Sequence, residues 1–196
     1  MKKLKYGVAI NDADYQTSIC SIVKNSDGTR TLSLEWRCPF YKKWEDLIAR
    51  CYSEKFKSRK PTYVGCSVCE EWLTFSNFKS WMETQDWRGK VLDKDFLSSK
   101  NNKVYSPETC VFIDPALNSF ILDSAKSRGK YLQGVDFHKH TQKFRARCGA
   151  EYLGLFETEK QAHEAWRKEK IKQAEIWADK VEDLRLKQKL KSMYKN

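Results

Sequence analysis

The residues best suited to chemistry in this sequence form a short acidic segment followed by an asparagine. Asp93 and Asp95 flank Lys94, and Asn118 comes soon after Asp114-Pro115. Because Asp114 suits an N-cap and proline the first helical position, the pattern predicts strand, loop, strand and helix. Carboxylate and amide oxygens are hard ligands for Mg²⁺ or Mn²⁺, and such a metal can stabilise the leaving oxygen of a phosphodiester. Asp93, Lys94, Asp95 and Asn118 are therefore candidate catalytic residues, with Asp93, Asp95 and Asn118 as metal ligands. The alternative is that both aspartates only close a loop or pair with Lys94 or Lys100.

A set of cysteines is the second group with possible chemistry. Cys66 and Cys69 form a C-x-x-C pair, and Cys51 and Cys110 lie in the same region. Four thiolates can hold a structural Zn²⁺ tetrahedrally, which makes these residues candidate zinc ligands. Only one pair has metal-binding spacing, so the alternative is that they are ordinary core residues.

Three short strands and a long helix are predicted near the carboxyl end. The strands cover residues 133–138, 143–148 and 152–156. Thr158 is a plausible N-cap, and Gln161 stands three residues later, as in a capping box. The element order therefore predicts an antiparallel sheet packed on a helix.

The second of these strands has two chemically different faces. Alternation places Phe144, Ala146 and Cys148 on the face toward the helix, and cations on the other. A sheet can enter the major groove, where arginines read guanine edges or grip phosphates. The candidate DNA contacts are His138, Lys139, Lys143, Arg145 and Arg147. The alternatives are an ordinary solvated sheet face, or a surface for single-stranded RNA.

The overall charge favours a polyanionic partner. The formal net charge is +11, and 40% of the residues are hydrophobic against 32% charged, which is typical of a globular protein. The absence of a long apolar run argues against a membrane span, and the polar residues 11–14 argue against a secretory leader. We therefore expect a cytoplasmic protein.

The carboxyl-terminal motifs resemble the Apetala-type (ethylene-response-factor) DNA-binding domain. They are Gly134-Val135, Phe144-Arg145-Ala146, residues 152–156, and Thr158 followed by Ala162, Ala165 and Trp166. The resemblance implies a three-stranded sheet whose exposed face lies in a DNA groove. The chain departs from the family at Asp136, where plant members usually have arginine, and at Phe144, where they have tryptophan.

Residues 38–123 resemble phage HNH-type endonucleases, several of which carry an Apetala-type domain behind the nuclease. The matching motifs are Cys38-x-x-Tyr41-x-x-Trp44, Tyr63-x-Gly65-Cys66-x-x-Cys69-x-Glu71-Trp72, residues 92–95 and Tyr105-Ser-Pro-Glu-x-Cys110. This resemblance implies a beta-beta-alpha-metal nuclease module, and a location in the host cytoplasm if a phage encodes the protein. The histidine that serves as general base is expected between Asp93 and Asp95, where this chain has Lys94, and the middle asparagine near Thr109. Asp95 could replace the histidine as a weak base, or Lys94 could replace it if its pKa were lowered.

These expectations give one domain organisation and two functional hypotheses. The plan is an α+β chain with a hairpin packed on the central module (1–37), a nuclease-like module (38–123), a linker (124–129), a DNA-binding module (130–178) and a basic helical tail (179–196). The first reading is a metal-dependent endonuclease, homing-like, that nicks or cleaves double-stranded DNA. The alternative is an HNH-derived DNA-binding protein without catalysis, acting as a regulator or competitor.

Overall fold

The chain forms the expected α+β fold, with four small sheets and six helices in a computed structural model that describes residues 4–98, 102–122 and 129–195. It divides into two compact units, Met1–Asn118 and Ser119–Asn196. Within the described residues, none of the helices combines the length and apolar character needed to cross a membrane. Residues 124–128 of the predicted linker lie outside the described residues.

Unit 1 is built from short elements around one aromatic core. In chain order they are β1 (Ser18–Lys24), β2 (Arg30–Arg37), α1 (Pro39–Tyr52), α2 (Glu54–Arg59), β3 (Ser67–Val68), α3 (Phe75–Glu83), β4 (Val91–Asp93), β5 (Val104–Tyr105) and β6 (Val111–Ile113). β3 pairs in parallel with β5, and β4 pairs antiparallel with β6. α4 (Pro115–Ile121) then spans the point where the two units divide.

The core of unit 1 forms because α1 places its apolar residues on one side. Trp44, Leu47, Ile48 and Cys51 recur at three- and four-residue spacing and are buried. The indole nitrogen of Trp44 donates to the carbonyl oxygen of Trp72 at 2.7 Å, so the buried polar group is satisfied. This core supports the short β4–β6 ladder next to it.

The predicted amino-terminal hairpin forms, but most of its length is exposed. β1 pairs with β2 from Ser18 opposite Arg37 to Lys24 opposite Arg30, and the turn uses Gly28 at φ +83°. Ile22 and Leu32 face each other and are 66% and 75% exposed. The expectation that the hairpin packs on the central module is therefore wrong for its outer half.

Unit 2 contains the predicted sheet and helix. β7 (Val135–His138), β8 (Lys143–Cys148) and β9 (Glu151–Phe156) form an antiparallel sheet in that order, and α5 (Glu159–Lys180) follows. Thr158 and Gln161 form the predicted capping box. The helix α5 packs against the inner face of the sheet. Ala162 and Trp166 of α5 are buried on that side, as are Ala146 and Cys148 of β8.

The carboxyl end of unit 2 differs from the predicted tail. α5 continues to Lys180, and a separate helix α6 (Leu184–Ser192) follows with Asp183 as its N-cap. Leu186 and Leu190 are buried, and α6 packs against α5. The structured unit therefore extends well past the residue 178 boundary.

Candidate functional site

Asp93 closes the turn that follows β4. Its Oδ1 accepts hydrogen bonds from the backbone N–H groups of Asp95 at 3.0 Å and Phe96 at 2.8 Å. Such an Asx-type turn is a common structural use of aspartate. Burial raises the pKa of Asp93, and the nearby Asp95 charge adds to this, although the two backbone bonds partly offset the effect. The carboxylate is thus partly committed to holding the loop.

Lys94 is buried beside this turn and pairs with its neighbour. It is 7% exposed; its ammonium contacts the carboxylate of Asp95 and lies 5.5 Å from the Tyr105 ring centroid. Burial alone would lower the pKa of Lys94, but the hydrogen bond and charge of Asp95 outweigh it and raise that pKa. A general base needs the opposite shift, so Lys94 is a protonated cation that neutralises Asp95.

Asn118 lies on α4, as the sequence predicts. Asp114 accepts from the backbone N–H of Ala116 at 2.7 Å, and the Asn118 N–H donates to the Asp114 carbonyl at 2.8 Å. Within residues 4–98, 102–122 and 129–195 there is no hydrogen bond between Asn118 and Asp93 or Asp95. The predicted trio therefore lies in one unit, but no hydrogen bond among the described residues joins Asn118 to either aspartate.

Three of the four candidate zinc residues are buried thiols, and the fourth is only half-buried. Cys51 is buried and electrostatically close to Cys66 and Cys110; burial raises the pKa of Cys51 and of Cys110 to about 12. Cys69 is half-buried, and its side-chain partner is Glu71. The described ranges contain no cluster of three or more His, Cys, Asp or Glu side chains arranged to hold a metal ion. Burial therefore keeps the thiols of Cys51 and Cys110 protonated, and Cys66 is a buried core residue beside them.

The exposed face of the unit 2 sheet carries an arginine fixed by a carboxylate. Asp136 on β7 stands opposite Arg145 on β8. Arg145 donates from Nε to Asp136 Oδ1 at 3.0 Å and from Nη2 to Oδ2 at 2.7 Å. A two-bond contact of this kind fixes the plane of the guanidinium. Arg145 therefore has one defined orientation on the sheet.

The other predicted DNA-contact residues differ in whether their side chains are already paired within the protein. Lys143 Nζ pairs with Glu157 at 2.6 Å, and His138 Nδ1 lies 2.8 Å from the Thr141 hydroxyl. Lys139 and Arg147 are exposed, and neither has an ion pair within the described part of the chain. These two cations are consequently the most available for phosphates.

Tyr152 is a residue of this face that the sequence reasoning did not select. It stands directly opposite Arg147 in the register of β8 and β9 and is 55% exposed. Directly paired residues of an antiparallel ladder project to the same side. The ladder irregularity between Ala146 and Arg147 shifts this alignment, so simple alternation in sequence could not assign it.

Comparison of the chain with protein-family models, with curated proteins and with solved structures finds no match.

Proposed function

We propose that this protein binds double-stranded DNA through the exposed face of the β7–β8–β9 sheet. The observation that carries the proposal is the two-faced strand β8. Its alternate residues Ala146 and Cys148 are buried, whereas Arg147 is exposed and Arg145 is fixed by Asp136. A surface with oriented and free cations, in a chain of net charge +11, is suited to a polyanion.

Each side chain of this face has a distinct role in the proposal. Arg145 uses Nε and Nη2 for Asp136, which leaves its Nη1 amino group and the second Nη2 hydrogen to donate to guanine O6 and N7. Arg147 and Lys139 contact phosphates, which position the protein without reading sequence. Tyr152, beside Arg147, supplies an apolar contact with a sugar or a thymine methyl group.

The test is a binding measurement on the full chain with a pool of random duplexes, followed by sequencing of the bound fraction. The substitution Arg147→Gln should weaken binding to all sequences, and Arg145→Gln should weaken the base preference. Lys168→Gln on α5, an exposed lysine outside the sheet, is the matched control. Equal loss in all three variants would show that only net charge matters. Stronger competition by single-stranded RNA than by duplex DNA would favour the RNA alternative.

A second candidate function is cleavage of the bound DNA at the acidic segment of unit 1. The observation in its favour is that Asp93 and Asp95 lie close enough for the charge of one to raise the pKa of the other. Against it, Asp95 is paired with the Lys94 ammonium and Asp93 holds the turn, so these contacts do not fit a divalent metal as they stand. These contacts favour DNA binding over DNA cleavage as the function of the protein.

Incubation with supercoiled plasmid and Mg²⁺ or Mn²⁺ tests this second candidate. Asp95→Asn keeps the size of the side chain, and Asp86→Asn is a control that also removes a lysine-paired carboxylate. Nicked or linear product that is lost only with Asp95→Asn would establish an endonuclease. If no variant cuts any tested DNA while all of them bind it, the regulator or competitor reading would stand.

A further inference from the structure

Unit 1 has a cationic surface around a short turn. The turn is the 3-10 segment Pro61–Tyr63, between α2 and β3. Two depressions, of about 550 and 270 Å³, flank it, and both are lined by Thr62 and Tyr63. The larger also has Arg50 and Lys60 in its wall, and the smaller has Lys103. Cations thus lie on both sides of one turn.

The positions of two of these cations are fixed by neighbouring groups. Lys103 Nζ donates to the carbonyl oxygen of Val64 at 2.7 Å. Gly65, at φ +79°, lies next to the Lys103 side chain, since a Cβ at this glycine would be 3.5 Å from Lys103 Nζ. The Arg50 guanidinium lies 6.0 Å from the Tyr63 ring centroid, and it is near enough to Tyr105 for its charge to offset part of the rise in the pKa of that phenol. Arg50 and Lys103 are therefore held in place before any ligand arrives.

The carboxylates near the turn are already neutralised. Asp46 lines the larger depression and pairs with Lys42 at 2.8 Å, whereas Asp95 lines the smaller one and pairs with Lys94. Arg50, Lys60 and Lys103 have no ion pair in the part of the chain that the structure describes. The surface thus offers three positive charges without a compensating negative charge. Phosphate groups are the ligands that such a set of donors recognises.

We infer that Arg50, Lys60 and Lys103 form a second contact surface for DNA phosphates, on unit 1 and additional to the sheet of unit 2. The choice of DNA as the phosphate source rests on the proposed function. These cations hold backbone phosphates on both sides of the Pro61–Tyr63 turn, and they contribute affinity without base preference.

The test measures binding of a labelled duplex by the full chain across a range of salt concentrations. The variant is Lys60→Gln/Lys103→Gln, which leaves Arg50 and its tyrosine contacts intact. Loss of two phosphate contacts should reduce the slope of log affinity against log salt by about 1.8, and affinity near 0.15 M salt by roughly 10- to 50-fold. The matched control is Lys24→Gln/Arg30→Gln, which removes the same charge from the exposed hairpin of unit 1.

The outcomes separate this inference from the proposed function when Arg145→Gln/Arg147→Gln is measured beside them. A lysine variant that behaves as the control, with the melting temperature of the wild type, overturns the inference and leaves sheet binding intact. Loss in the lysine variant but not in the arginine variant supports the inference and overturns sheet binding. No binding by the wild type at low salt overturns both. If the double variant melts early, Lys60→Gln alone decides the matter, with an expected slope change of about 0.9, because its side chain is exposed.

Discussion

Replacement of Gly134 by alanine is the sharpest test of how unit 2 is built. Gly134 precedes β7 at φ +77°, and a Cβ there would lie 2.0 Å from Cδ1 and 2.2 Å from Cγ of Trp166. Carbon atoms pack at about 3.5–4.0 Å, so the indole would have to move by more than an ångström. Trp166 is 4% exposed and stacks on His163, whose Nδ1 lies 2.9 Å from the carbonyl oxygen of Gln133. The ring has no open space into which to move.

The expected cost has two parts of known size. A left-handed backbone costs a non-glycine residue about 1–2 kcal/mol, and overfilling a packed core costs about 1–3 kcal/mol. Gly134→Ala should therefore lower the free energy of unfolding by about 2–5 kcal/mol, a large part of the usual 5–15 kcal/mol or so of a domain. Urea unfolding followed by circular dichroism measures this change in the midpoint and the extrapolated free energy.

Gly149→Ala is the matched control for the backbone part. Gly149 also has a positive φ, +61°, in the turn between β8 and β9, but a Cβ there would meet nothing within 4 Å. It should cost only about 1–2 kcal/mol. Equal losses for Gly134→Ala and Gly149→Ala would refute the predicted clash with the indole. In a Trp166→Leu background, the cost of Gly134→Ala should fall to that of Gly149→Ala, because the obstructing ring has been removed.

Three further predictions follow from the contacts of single residues. Asp136→Ala should release Arg145, raising affinity for random duplexes while reducing base discrimination by about 1 kcal/mol, as measured by competition between sequence pools. The thiols of Cys51 and Cys110 remain protonated in the folded chain to about pH 12, whereas cysteines in the unfolded chain ionise near pH 8.5. Raising the pH between these two values should therefore lower the free energy of unfolding. Each thiol should contribute up to about 1.4 kcal/mol per pH unit in urea titrations across this window. A strong metal chelator should leave the melting temperature unchanged if these thiols are core groups, and a large fall would restore the zinc interpretation.

The parts of the fold that sequence predicts well are those whose cause is local. The start of α5 follows from Thr158 and Gln161, because the side chain of each accepts a hydrogen bond from the backbone N–H of the other. The break that separates α5 from α6 was not predicted, because no glycine or proline marks it. Asp183, which caps α6 by accepting from two backbone N–H groups, was the available signal.

The state of the acidic segment depends on non-local packing, which the sequence does not reveal. Lys94 is adjacent to Asp95, so their pairing could be anticipated as one alternative. The burial of Lys94 depends partly on Tyr105. The position of Tyr105 is set by its parallel pairing with Val68, which is distant in sequence. Opposing effects of burial and charge then fix the direction of its pKa shift, and only the three-dimensional arrangement decides which is larger.

Each unit contains an ion pair between a predicted functional residue and a neighbouring charged residue. In unit 2, Asp136 pairs with Arg145, fixes the guanidinium and leaves part of its donor edge exposed. In unit 1, Lys94 pairs with Asp95 and neutralises a carboxylate that a metal would require. Asp136 orients a cation, whereas Lys94 compensates the charge of a carboxylate that metal-dependent phosphodiester hydrolysis would require. Because these two ion pairs have opposite chemical consequences, binding and cleavage should be measured as independent properties of this chain.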